Sequence, residues 1–152
     1  MRKVHVFGRN VLASRGPREV SGSSRALHVC VPFTTSVLTR AALNAAAALT
    51  RNLGARLTLM SVLIVPFPLP LERPAVSLNF VEHELQVVAR DVELELDARV
   101  VIARDRPSAF LRAVSPGSLV VLATKKRWWP TRQLKLARLL ARAGHSVALL
   151  EI

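Results

Sequence analysis

Five apolar runs separated by helix-length segments constrain what this chain can fold into more than any other feature. They cover residues 27–33, 55–65, 94–103, 119–123 and 146–152. Continuous apolar runs suit strands that are covered on both faces, the situation in parallel sheets. Strands that alternate with helices pair in parallel through right-handed crossovers. The pattern predicts an α/β fold, a three-layer α/β/α sandwich on a five-stranded parallel sheet. With 152 residues and a hydrophobic share of 51%, one domain can bury a full core. There is no Tyr, so aliphatic side chains must fill most of it.

Local signals place the helices. Thr34, Thr35 and Ser36 follow the first run, and each can cap a helix by accepting backbone N–H bonds. A helix over 37–53 puts Leu38, Ala42, Ala45, Leu49 and Leu53 on one face, with Arg40, Asn44 and Arg51 off it. Gly54 supplies the left-handed residue that ends it. Pro66, Pro68, Pro70 and Pro74 forbid regular pairing after the second run. Val81, Leu85 and Val88 align on a helix over 80–92. A short helix through 114 has Pro107 in its first turn, and a last helix over 131–143 stops at Gly144.

Residues 1–25 read as a basic, flexible N-terminal arm, and residues 26–152 as the folded domain. The arm carries Arg2, Lys3, Arg9, Arg15, Arg18 and Arg25 against Glu19 alone. Val4 to Phe7 can form a short strand; an organelle-targeting role for the arm stays open. No apolar run approaches the ~20 residues that span a bilayer, so no membrane span is expected. The net charge of +12 attracts nucleic acid, anionic surfaces or phosphorylated ligands without specificity. Cys30, the single cysteine, sits in an apolar run and reads as a buried, inert thiol. A cytoplasmic setting fits it. His5, His28, His83 and His145 show no metal-ligand spacing, and there is no Walker loop or G-x-S-x-G. We therefore expect no catalytic residues, no metal site and no cofactor, and not an enzyme.

The order of pieces resembles the universal stress proteins. Val31-Pro32-Phe33-Thr34-Thr35-Ser36 resembles their first strand and turn, V-P-V-D-G-S. Leu53-Gly54-Ala55-Arg56-Leu57-Thr58-Leu59 is similar to the junction of first helix and second strand. Leu119-Val120-Val121-Leu122-Ala123-Thr124 is similar to the fourth strand, L-I-V-M-G-T. Gly144-His145-Ser146-Val147-Ala148-Leu149-Leu150 resembles the closing stretch, H-x-P-C-P-V-L-V-V. The resemblance implies strand order 3-2-1-4-5, counted from residue 27, and a stress-response role.

Departures from the family pattern are as telling. Thr34 stands where ATP-binding members place an aspartate. Their G-x-x-G and later G-[ST] let backbone amides approach phosphates. Here the segment reads Ala123-Thr124-Lys125-Lys126-Arg127-Trp128-Trp129-Pro130, and 133–143 has no glycine either. The resemblance thus implies a degenerate member that does not bind ATP in the standard way.

Ligands of open α/β sheets bind beyond the carboxyl ends of the strands, where strand order reverses. With the implied order, Thr34, Thr35 and Ser36 face Lys125, Lys126 and Arg127 across that point, a candidate anion site. Degenerate, water-facing lysines are the alternative. Trp128 and Trp129 either engage a membrane surface or single-stranded nucleic acid, or one fills the vacated pocket and the other packs on the last helix. Arg132, Lys135, Arg138 and Arg142 form one basic stripe on the last helix. The fifth strand is an apolar edge, and the resemblance implies a homodimer through it, with Val147, Leu149 and Leu150 at the interface. Alternatively, Val4 to Phe7 folds back and covers that edge. We expect a regulatory or interaction module. The alternatives are a binder of a nucleotide or other phosphorylated ligand, and an unspecific nucleic-acid or anionic-surface binder.

Overall fold

The computed structural model describes residues 27–93, 95–127 and 129–152, together with the main chain of 3–7. In chain order the elements are β1 (Lys3–Phe7), β2 (His28–Pro32), α1 (Ser36–Arg51), β3 (Arg56–Ile64), α2 (Leu78–Arg90), β4 (Leu96–Ala103), α3 (Arg106–Ala113), β5 (Leu119–Thr124), α4 (Arg132–Arg142) and β6 (Ser146–Glu151). All five expected strands and four expected helices form. Of the expected N-terminal arm, 3–7 form β1, and 1–2 and 8–25 lie outside the described residues.

The sheet order is β1-β6-β5-β2-β3-β4. Counted from His28, the five parallel strands run 3-2-1-4-5, as expected. Side chains alternate along these strands and feed two cores. Val29, Val31, Leu57, Leu59, Val121 and Ala123 point to one face, where α1 and α2 cover them with Leu43, Ala46, Leu85 and Val88. Cys30, Met60, Val62, Val120 and Leu122 point to the other, where α3 and α4 bring Phe110, Ala137 and Leu140. A strand dry on both faces must be apolar at every position, which explains runs such as 119–123.

The buried face of α1 differs from the expected one. Leu49 and Leu53 are exposed, while Thr39, Leu43, Ala46, Ala47 and Thr50 are buried beside Leu38 and Ala42. Small alanines let the helix sit close on the sheet. The two threonines satisfy their hydroxyls locally. Thr39 Oγ1 accepts from Thr34 N–H at 3.0 Å, and Thr50 Oγ1 donates to Ala47 O at 3.1 Å.

At the edge expected to make a homodimer, the alternative forms, in which the segment at Val4 to Phe7 folds back and covers it. β1 pairs antiparallel with β6, from Lys3 opposite Glu151 to Phe7 opposite Val147, so the backbone groups of that edge are already used. Nor do the named side chains share a surface. Val147 and Leu149 are buried on the α3–α4 side and Leu150 on the α1–α2 side. The opposite edge, β4, carries an exposed ion pair, Arg99 Nε to Asp97 Oδ2 at 2.6 Å. Charges of this kind discourage edge pairing. Deleting residues 1–25 should expose β6. We expect light scattering to give a monomeric mass for the full chain and a dimer or larger species for the deletion. Equal masses would show that β1 does not guard this edge.

Candidate functional site

In this fold each β-to-α connection emerges at the carboxyl ends of the parallel strands, so the helix N-termini gather on one rim, those of α1, α3 and α4 around the candidate site. Hydroxyl and carboxylate caps fix them. Thr35 caps α1, its Oγ1 accepting from Leu38 N–H at 3.4 Å. Asp105 caps α3, its Oδ1 accepting from Ser108 N–H at 2.8 Å; that hydrogen bond holds its carboxyl below the usual range. Thr131 caps α4 and shares a 2.8 Å hydrogen bond with Thr124 Oγ1 at the end of β5.

A cleft of about 690 Å³ opens between these caps. Phe33, Ile64 and Pro107 form apolar walls with Phe110, Leu136 and Leu139. Thr34 and Thr35 lie on the α1 side, Arg106 on the α3 side, and Arg132, Gln133 and Lys135 on the α4 side. No carboxylate, histidine or cysteine lines it among the described residues. Arg40 is held by Asp91 and Arg99 by Asp97. Arg106, Arg132 and Lys135 have no such ion pair among the described residues. Arg104 is committed elsewhere. It donates to the carbonyls of Val65 at 3.0 Å and Leu69 at 2.6 Å, and its guanidinium lies 4.2 Å from the Phe67 ring centre, clamping the proline-rich loop after β3.

A second cleft of about 570 Å³ adjoins it and shares Thr35, Arg132 and Gln133. It brings together Thr35, Lys125 and Arg127. The expected cluster is thus distributed. Thr34 and Thr35 line the larger cleft, Thr35, Lys125 and Arg127 line the second, and Ser36 and Lys126 line neither. The cause is visible in the backbone. Ile152 N–H donates to Thr124 O at 3.0 Å and Lys126 N–H to Ile152 O at 3.4 Å, so the backbone at Lys126 is tied to the end of β6. The α4 stripe also divides: Arg132 and Lys135 serve the larger cleft, and Arg138 turns to a third hollow with Leu149 and Glu151.

Sequence reasoning did not single out Arg106 as a site residue. The signal was available. Arg106 opens the helix after β4, and every such position in a parallel sheet reaches the same rim. Glycine is absent from all four connections on this rim, 33–35, 65–77, 104–105 and 125–131. The positive-φ glycines Gly54, Gly117 and Gly144 all sit at the opposite, helix-to-strand end.

Among solved structures, the chain is similar to the universal stress protein UspA from Lactobacillus plantarum, with 15% identity over 84% of this chain and 99% of that one, TM-score 0.53. It is likewise similar to a universal stress protein family member from Burkholderia pseudomallei, with 21% identity over 84% and 98% of the two chains, TM-score 0.55. The chain therefore has the universal stress protein fold. Its sequence matches no protein-family model and no curated protein.

Cys30 lies in β2 on the α3–α4 side, 4% exposed. Burial pushes its thiol up to about 12, against a smaller opposing pull from Arg99. The neutral thiol contributes its full stability below its ordinary value of 9.0 and loses it as pH rises towards about 12. Native protein at pH 8 should leave a disulfide reagent such as dithionitrobenzoate unreacted, whereas denatured protein should release one equivalent. Fast reaction of the native chain would contradict a buried role.

Proposed function

We propose that the protein is a non-catalytic, ligand-responsive regulatory module. Its ligand is a phosphorylated or otherwise anionic small molecule with an apolar body, held in the larger cleft. The observation that carries this is the pairing of an apolar cavity of about 690 Å³ with Arg106, Arg132 and Lys135, none offset by a carboxylate in the lining. Such a cavity desolvates the ligand's body, and cations with no local partner favour its charged end. The lack of an acid–base pair in that lining supports binding over chemistry.

Recognition here rests on side chains. With no glycine on the rim, backbone amides have no nest in which to cradle a triphosphate. This supports the reading that ATP is not bound in the standard way. A cytoplasmic setting agrees with the buried, unreactive thiol, and among the described residues no helix is long and apolar enough to cross a membrane.

Isothermal titration should show no saturable heat with millimolar ATP. The anionic, apolar probe anilinonaphthalenesulfonate should bind natively folded protein saturably. Arg106→Glu and Arg132→Glu should each weaken it by about 10-fold or more, since hydrogen bonds to charged groups contribute roughly 1.5–3 kcal/mol. Lys126→Glu, outside the cleft, should change it little. Micromolar ATP affinity, or equal effects of all three substitutions, would overturn the reading.

A further inference from the structure

Beyond the larger cleft, the segment between β5 and α4 forms a ridge with a hollow on each side. The indole of Trp129 lies on this ridge and is 82% exposed. It lines both the second cleft, about 570 Å³, and the third hollow, about 260 Å³. Lys125 and Arg127 also line both; Arg132 faces the first of these hollows and Arg138 the other. Glu151 is the one carboxylate in either lining among the described residues. The four cations have no ion pair among the described residues.

An exposed ring flanked by cations offers a flat π-face that a base can stack on. The backbone that carries this ring is restrained. Pro130 restricts the backbone of Trp129 towards the extended region. The Thr124–Thr131 hydrogen bond joins the ends of the ridge, and the pairing of Lys126 with Ile152 fixes its first half.

We propose that this ridge is a contact site for single-stranded nucleic acid, with a base stacked on Trp129 and flanking phosphates on Lys125, Arg127, Arg132 and Arg138. A cationic groove interrupted by an exposed ring is the minimal form of such a site, and stacking needs no sequence preference because every base has a π-face. A membrane surface is the competing partner with the same charge. An interfacial helix lays an apolar face into lipid, and the apolar face of α4, with Leu136, Ala137 and Leu140, is buried on the sheet. Among the described residues that line the two hollows, Trp129 and Val37 are the exposed large hydrophobics. Lone base stacking fits that small area; insertion does not.

The test uses the full chain and a fluorescein-labelled oligothymidylate followed by anisotropy, with circular dichroism to verify each fold. Trp129 and Arg138 are chosen because neither lines the larger cleft, so the result is independent of the small-molecule reading. At roughly 50 mM salt we expect saturable binding that weakens by about 50-fold at roughly 200 mM, the slope for four neutralised phosphates on a single strand. Trp129→Ala should weaken binding about 10-fold and Trp129→Phe should restore most of it. Arg138→Glu should weaken binding by about 10-fold or more, whereas the charge-matched Arg51→Glu, at the far end of α1, should change it less than about two-fold. A duplex of equal length should bind more weakly, since its bases are already stacked. The proposal is overturned if Trp129→Ala has no effect, if Arg51→Glu equals Arg138→Glu, or if the duplex binds as well. It is also overturned if phosphatidylglycerol vesicles bind more tightly than the oligonucleotide at equal phosphate and lose that binding in Trp129→Ala.

Discussion

The structure depends on one constraint: β2 and β5, at the middle of the sheet, have no face towards water. Val29, Val31 and Val121 enter one core, and Cys30, Val120 and Leu122 enter the other. Both faces must then be roofed by helices, because the ladder alone cannot keep its side chains dry. Roofing both faces leaves only the two ends of the sheet for polar chemistry. The carboxyl end receives the helix N-termini, whose unpaired N–H groups carry partial positive charge. The cations on this rim therefore add to a field that the fold already supplies.

Glycine is distributed along that axis unevenly. At the helix-to-strand end, Gly54, Gly117 and Gly144 adopt positive φ, and an added Cβ at any of them would meet nothing within 4 Å. These positions are needed for backbone conformation, not for close approach. The rim at the other end is built from threonine, proline, arginine and tryptophan. Side chains reach further than amides and adapt more, so a site made of them recognises charge and shape loosely where a glycine nest recognises phosphate geometry strictly.

Much of the fold was legible because it is written in periodicity. The runs at 119–123 and 146–152 are apolar at nearly every position, and only a doubly covered strand tolerates that. The site was less legible. Lys125, Lys126 and Arg127 are consecutive, yet the pairing of Lys126 with Ile152 ties its backbone to the end of β6, and Lys126 does not line the cleft that Thr35 lines. That pairing is long-range and leaves no local mark. The face of α1 shows the same limit. Leu49 and Leu53 fit the helical repeat as well as Ala46 and Thr50 do, and only the close seating of the helix on the sheet decides between them. Likewise, the hydropathy of 146–152 announces an edge strand but is silent on which segment covers it.

The β1–β6 pairing has a consequence for the order in which the molecule is made. Among the described elements β1 comes first in the chain and its partner β6 comes last. Until β6 exists, β1 has nothing to complete, and the parallel strands between them must assemble without it. Pairing between distant parts of a chain is slow to form because the loop entropy is lost before any contact rewards it. The seam thus closes only after every other described element has been made. A chain cut short before 146 has neither β6 nor a seat for β1, and it presents both a bare β5 edge and an unmatched strand to whatever surveys nascent proteins.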